Sequence, residues 1–219
     1  MRGESLSQDA LLERLKEAPT GRRTVVAIAG APGAGKSTLA AALAEALNAG
    51  MPDRAAVLPM DGYHYDDTLL SARGLLPRKG APQTFDVAGL AHMLARLRRN
   101  EEPEIAVPVF DRDIEIARAG ARMIPQAVDI LLVEGNYLLV GEAPWNMLRK
   151  SFDLTVFIDV PEPVLRERLI ARWRGYDMSP EGIRSKLDDN DLPNGRFVRE
   201  KSVDPDLVLR QDMGGGRDG

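Results

Sequence analysis

The chain has 219 residues, 44% of them hydrophobic and 28% charged, which is enough for one sizeable core. Its 33 acidic and 29 basic residues leave a net charge of −4, which excludes a global field for nucleic acid or an anionic membrane. It has no cysteine, which excludes disulfides and thiolate metal sites and agrees with a reducing cytosol.

The opening stretch, MRGESLSQDALLERLKEAP, lacks the apolar core of roughly 7–15 residues that a secretory signal needs. Apolar runs such as AAVLPM and ILLV are far shorter than the ~20 residues of a membrane helix. A cytoplasmic protein without membrane or nucleic-acid partners is expected. Leu6, Leu11, Leu12 and Leu15 recur at helical spacing, predicting a helix over 6–18 closed by Pro19. TVVAIAG (24–30) reads as a buried strand, and the Ala/Leu-rich segment 37–48 as a helix stopped by Gly50. AAVLPM (55–60) is the next strand, and 61–85, rich in Gly, Pro, Arg and Tyr, reads as an elaborated loop. Asp86 caps a helix over 87–99 whose last turn is basic, as the helix dipole favours. Further strands are predicted at 104–110, 129–135 and 153–160, with a last edge strand at 206–210. PEPVLRERLIARWRG (161–175) is a helix with prolines in its first turn. Short apolar runs alternating with helices imply an α/β fold with a mainly parallel sheet. The tail at 213–219, MGGGRDG, is expected to be disordered.

GAPGAGKST (30–38) matches G-x-x-x-x-G-K-[ST] between a predicted strand and helix. Gly30, Gly33 and Gly35 let successive backbone N–H groups turn toward one anion, and the following helix adds its positive end. Ala31, Pro32, Ala34 and Thr38 complete the cradle. Lys36 is expected on the β- and γ-phosphates and the Ser37 hydroxyl on Mg²⁺. This names a nucleoside triphosphate, ATP or GTP, without naming a reaction.

Asp61 ends the strand after the cradle helix. Ligands of open α/β sheets bind outside the carboxyl ends of the strands, so Lys36 and Asp61 share a rim. A carboxylate there suits a general base for an attacking hydroxyl, while an Asp-Gly turn is the alternative. Gly62 is read as a hinge turning the chain outward. Tyr63, His64 and Tyr65 are candidates for an acceptor pocket, with His64 open between substrate contact and packing. His92 falls in a helical pattern and reads as structural. Glu134 ends the apolar run of DILLVEG, where a Mg²⁺-coordinating or water-orienting carboxylate sits in P-loop proteins. Asp111 and Arg112 follow a strand, and Arg168 and Arg172 share one helix face, where arginines suit the charge of a transferring phosphoryl group.

GAPGAGKST, MDGYHYDD, RKGAPQTFD, PVFDR, VEGNYLL and LRERLIARWRG occur in the order found in the uridine kinase, phosphoribulokinase and pantothenate kinase group of P-loop kinases. The chain resembles that group from about Arg22 to Leu209, and more narrowly the bacterial nucleoside kinase-like (fructose transport system kinase) proteins. The resemblance implies a P-loop NTPase three-layer sandwich. It implies a single domain over 1–219 with a short helical lid at about 166–192. ATP and Mg²⁺ would be its cofactors and a small molecule its phosphoryl acceptor. Carried over by position, Asp61 is the general base. Tyr63, Phe85, Asp86, Phe110, Asp111 and Arg112 lie beside the acceptor. Glu134 is the central acid, and Arg168 and Arg172 are lid arginines, with Arg166 and Arg174 near them. Asn190 and Asn194 fall near the nucleotide. Uridine kinases carry Ser-Phe-Tyr after their Asp, whereas this chain has Gly-Tyr-His, so the acceptor stays unnamed. A GTPase-type switch is the alternative of another class, but its Asn-Lys-x-Asp guanine reader is absent from the sequence. A motor or transporter ATPase would need signatures that the chain also lacks. Oligomeric state is unread, with a homodimer the commonest form of homo-oligomer.

Overall fold

The computed structural model describes residues 2–211, so the tail at 213–219 lies outside the described residues. Six parallel strands form the main sheet. They are β1 (Glu4–Ser5), β2 (Thr24–Gly30), β3 (Ala55–Pro59), β6 (Ile130–Gly135), β7 (Leu154–Asp159) and β8 (Leu207–Arg210), in the order β1-β8-β7-β2-β6-β3.

The strands read as continuous apolar runs because the sheet is covered on both faces. Alternation sorts their residues. Val25, Ala27, Ala29, Leu131 and Val133 face one core, closed by Leu90, Leu94 and Leu97 of α4 (Val87–Arg99). Val26, Ile28, Ile130 and Leu132 face the other. That core is closed by Leu11 and Leu15 of α1 (Gln8–Lys16) and by Leu39, Leu43 and Leu47 of α2 (Lys36–Gly50). The result is the expected three-layer sandwich.

Helix α4 covers the expected 87–99, with Asp86 Oδ1 accepting from the Gly89 N–H at 2.8 Å. Helix α1 is shorter than 6–18 because Ser7 caps it, its Oγ accepting from the Ala10 N–H at 3.2 Å. Three expectations are corrected. The segment 61–85 is not all loop: it carries α3 (Asp67–Ala72) and short 3₁₀ turns. The strand at 206–210 is not the edge, since β1 pairs outside it. The strand at 104–110 forms as β4 (Glu104–Asp111) but lies outside the main sheet, paired antiparallel with β5 (Ile116–Pro125). The sequence reading missed β5 because most of it is exposed, so it lacks a buried alternating face.

Beyond β7, α5 (Glu162–Gly175) leads into α6 (Pro180–Lys186), a π-helical turn (Leu187–Asp191) and α7 (Leu192–Lys201). Leu169, Ile183, Leu187 and Leu192 make a small cluster of their own there, separate from the two sheet cores.

Candidate functional site

The register of three strands sets the site. Glu134 on β6 stands beside Ile28 of β2 and Pro59 of β3. Two residues past Ile28 the chain enters the phosphate cradle, and two past Pro59 it reaches Asp61 in the 3₁₀ turn Met60–Tyr63. The Lys36 and Asp61 ends therefore flank one carboxylate. Such close strand tips leave no room for a side chain at Gly135, where a Cβ would lie 2.4 Å from Met60 Cβ.

Gly33 (φ +80°) and Gly35 (φ +89°) adopt the left-handed backbone that turns the cradle into α2. Lys36 Nζ donates to the Ala31 carbonyl at 2.9 Å. Burial lowers its pKa to about 8, against the pull of Glu134 and Asp61, with Arg172 and Arg112 nearby adding to the lowering. The Ser37 hydroxyl donates to Glu134 Oε1 at 3.1 Å. Glu134 is buried, which raises its pKa, and the Asp61 charge raises it further while Lys36 opposes. Among the described residues no cluster of three His, Asp or Glu side chains forms a protein-only metal cage. A hydroxyl beside one buried carboxylate nevertheless suits Mg²⁺, which is usually held by one or two carboxylates plus substrate phosphates.

One cavity of about 770 Å³ collects most of the expected residues. Pro32, Gly33, Gly35, Lys36, Ser37 and Thr38 of the cradle line it, together with Arg168 and Arg172. Gly30, Ala31 and Ala34 are buried beneath the cradle. Asp61, His64, Phe85, Phe110, Arg112, Asn190 and Asn194 line the cavity too, as does Glu134 beside Ser37. Arg112 Nη2 donates to Asp61 Oδ2 at 2.5 Å, and Arg168 Nη1 donates to Gln211 Oε1 at 2.8 Å. Asn194 Nδ2 donates to Asn190 Oδ1 at 3.1 Å and Asn190 Nδ2 to the Lys79 carbonyl at 3.0 Å, tying α7 to the segment 79–80.

Several expected residues are not brought to the cavity. Tyr63 packs in the sheet core with its hydroxyl unpartnered, and burial raises its pKa. Asp86 caps α4, and Asp111 pairs with Arg118 at 3.2 Å. Arg166 turns to Asp188 at 2.7 Å, and Arg174 is not among the lining residues. Gly62 sits in the turn Met60–Tyr63 without a positive φ, and its small size is needed because a Cβ there would lie 2.6 Å from the Pro108 carbonyl oxygen.

His64 packs within the protein and also reaches the cavity wall. Its Nδ1 lies 2.8 Å from the Asp61 carbonyl, its ring packs on Phe85 at 4.0 Å and Phe110 at 4.8 Å, and it lines the cavity. Burial lowers its pKa. The sequence reading missed Lys79, Trp173, Lys186, Asp191 and Gln211 as cavity residues. Lys79 lay within the quoted RKGAPQTFD and was findable. Gln211 follows the last strand and carries no local signal.

Three kinds of relative match. The family model described as methylmalonyl Co-A mutase-associated GTPase MeaB matches residues 3–64, from β1 through the Asp61 turn. A Schizosaccharomyces pombe protein named "Putative uridine kinase" is 35% identical over 201 residues, covering 87% of this chain and 84% of its own. The pantothenate kinase of Myxococcus xanthus is 32% identical over 157 residues, covering 68% of this chain, which spans about half of that enzyme's length (49%). Among solved structures, the "putative fructose transport system kinase" of Silicibacter sp. TM1040 superimposes with a TM-score of 0.85 at 38% identity, over 93% of this chain and 99% of its own.

Proposed function

The chain belongs to the P-loop kinase group of the uridine and pantothenate kinases, and on that premise we propose that it transfers the γ-phosphate of ATP to a hydroxyl of a small metabolite. The observation that carries this reading is the register: Glu134 stands between the strand that feeds the Lys36 cradle and the strand that feeds Asp61. Nucleotide phosphates would thus lie beside a carboxylate placed to receive a proton.

In this reading the cradle N–H groups and Lys36 hold the phosphates, with Arg168 and Arg172 over them. Asp61 accepts the proton of the acceptor hydroxyl. That oxygen bonds to the γ-phosphorus as the bond from the γ-phosphorus to the bridging oxygen breaks, giving phosphorylated acceptor and ADP. Ser37 and Glu134 would hold Mg²⁺, which supplies charge neutralisation at the phosphates. Arg112 orients Asp61, and the helical segment at about 166–192 serves as a lid that excludes water. Its separate apolar cluster supports that role.

The GTPase alternative has the MeaB match behind it, but that match stops before the Phe85, Phe110 and Arg112 wall. The kinase relatives extend across it. The test is phosphoryl transfer by Asp61→Asn over a set of sugars, nucleosides and vitamin precursors. Transfer is expected to fall at least about a hundredfold with ATP binding retained. Wild-type rates in Asp61→Asn would remove the base assignment, and ADP release that no acceptor stimulates would remove the kinase reading.

A further inference from the structure

The acceptor end of the cavity offers cations, while its aromatic rings are already taken. Lys79 Nζ lies 5.3 Å and the Arg112 guanidinium 5.6 Å from the centre of the same Phe110 ring. The Phe110 and Phe85 rings both pack on His64, and Phe85 also meets Tyr137 and Trp145 edge-on at 5.7 Å. A nucleobase would need an open ring face to stack on, and these rings are engaged within the protein.

Lys79 is mostly withdrawn from bulk water, with 13% of its side chain exposed, yet it lines the cavity. It donates to Asp67 Oδ1 and to the Glu115 carbonyl, both at 2.5 Å, which uses two of three ammonium protons. Asp67 is half-exposed, so its hold on the ammonium is weakened by water. Among the described residues the Arg112 side chain makes one hydrogen bond, to Asp61, and a guanidinium has five N–H donors. His64 adds the opposite capacity. A carbonyl only accepts, so Nδ1 carries the proton toward Asp61, and the Nε2 lone pair of the neutral ring is left for a ligand hydroxyl.

We infer that the acceptor is a small hydroxylated anion, its carboxylate or phosphate bound by Lys79 and Arg112 and a second hydroxyl donating to His64 Nε2. This rests on the kinase reading above and goes beyond it in naming the acceptor's charge. Lys79 is then a specificity residue, and Arg112 joins the anion to the base.

The test uses the full chain with Mg²⁺·ATP and matched acceptor pairs. Gluconate is set against sorbitol and glycerate against glycerol for the carboxylate arm, and ribose 5-phosphate against ribose for the phosphate arm, with uridine alongside. The acidic member of at least one pair is expected to have a kcat/KM at least about tenfold above its neutral partner, the scale of one hydrogen bond to a charged group. Which arm responds separates carboxylate from phosphate. Lys79→Met is expected to raise KM for that acid about tenfold while changing kcat less than about threefold and leaving the KM for ATP alone. Lys79→Arg should recover most of the loss. Efficient phosphorylation of sorbitol, glycerol, ribose or uridine, equal to that of the acids, overturns the charge assignment and leaves the kinase standing. An unchanged KM in a folded Lys79→Met overturns the role of Lys79. Stimulation by none of the acids overturns this inference, and the wider acceptor screen described above decides the kinase reading separately. The wild-type comparison needs no variant, so a Lys79→Met that fails to fold does not blunt the test.

Discussion

Raising the pH from 7 to 9 is expected to weaken ATP binding about tenfold through one residue, Lys36. Burial depresses its pKa from 10.5 to about 8 in the ligand-free cradle. About nine-tenths of the molecules then carry the charge at pH 7 and only about one-tenth at pH 9. Bound phosphates bring several negative charges beside Nζ, which returns the ammonium to full protonation. Affinity therefore follows the charged fraction of the free protein, and the loss is about 1.4 kcal/mol. The same linkage requires uptake of about 0.9 proton per ATP at pH 9 and about 0.1 at pH 7. Titration calorimetry in two buffers of different ionisation enthalpy reads both quantities. Equal affinity at the two pH values with no proton uptake would refute the reasoning, because Lys36 would then stay charged in the empty cradle. Stability moves in the opposite sense to affinity. The unfolded lysine keeps its proton to about pH 10.5 and the folded one only to about 8, so between those values the unfolded state binds more protons. The unliganded protein gains stability from Lys36 as pH rises through that window. The depressed pKa is the cost of keeping a cation buried where a phosphate is to bind.

Glu134→Gln is expected to raise the Mg²⁺ concentration for half-maximal activity about tenfold or more, and chelation of Mg²⁺ by EDTA to abolish turnover reversibly; an unchanged Mg²⁺ dependence would exclude Glu134 from the metal site. Gly135→Ala forces a methyl into the Met60 contact and spreads the strand tips that carry Glu134 and Asp61. A loss of about 1–3 kcal/mol in urea unfolding is expected, with a larger fall in kcat than in ATP affinity. Arg23→Met removes a buried guanidinium that donates to the Val128, Leu97 and Pro125 carbonyls at 2.9, 2.9 and 2.7 Å. The Val128 and Leu97 carbonyls left unpaired at the far end of the sheet, with the Pro125 carbonyl kept only by the Val128 N–H at 3.2 Å, are expected to cost about 2–5 kcal/mol, read by chemical denaturation, and a cost below about 1 kcal/mol would mean that water replaces the guanidinium.

Much of the site was legible because its parts are local. The cradle is nine consecutive residues, and its glycines, lysine and hydroxyl residues stand in an order dictated by backbone geometry around an anion. Asp61 and Glu134 were legible because each ends an apolar run, and a parallel sheet brings such ends to one rim. Side-chain direction was not legible in the same way. Tyr63 and His64 are adjacent on one turn, yet Tyr63 packs inward and His64 lines the cavity. Asp86 and Asp111 satisfy local partners, a helix N–H and Arg118. Arg166 and Arg168 are two positions apart on α5, and only Arg168 lines the cavity.

The sequence by itself determined the α/β class, the nucleotide cradle and the carboxylates at the strand ends, since each follows from short-range pattern and backbone sterics. Only the tertiary structure decided the strand order, the separation of the β4–β5 hairpin and the placement of Lys79 and Arg112 over one Phe110 ring. Those depend on which distant surfaces bury one another: Phe110 and Arg112 come with the hairpin, Lys79 with the 61–85 segment, and Asn190 from the π-helical turn ties down the Lys79 carbonyl. The pairing of Lys79 and Arg112 at Phe110 is thus a property of packing between remote segments, which is why MDGYHYDD alone could not supply it.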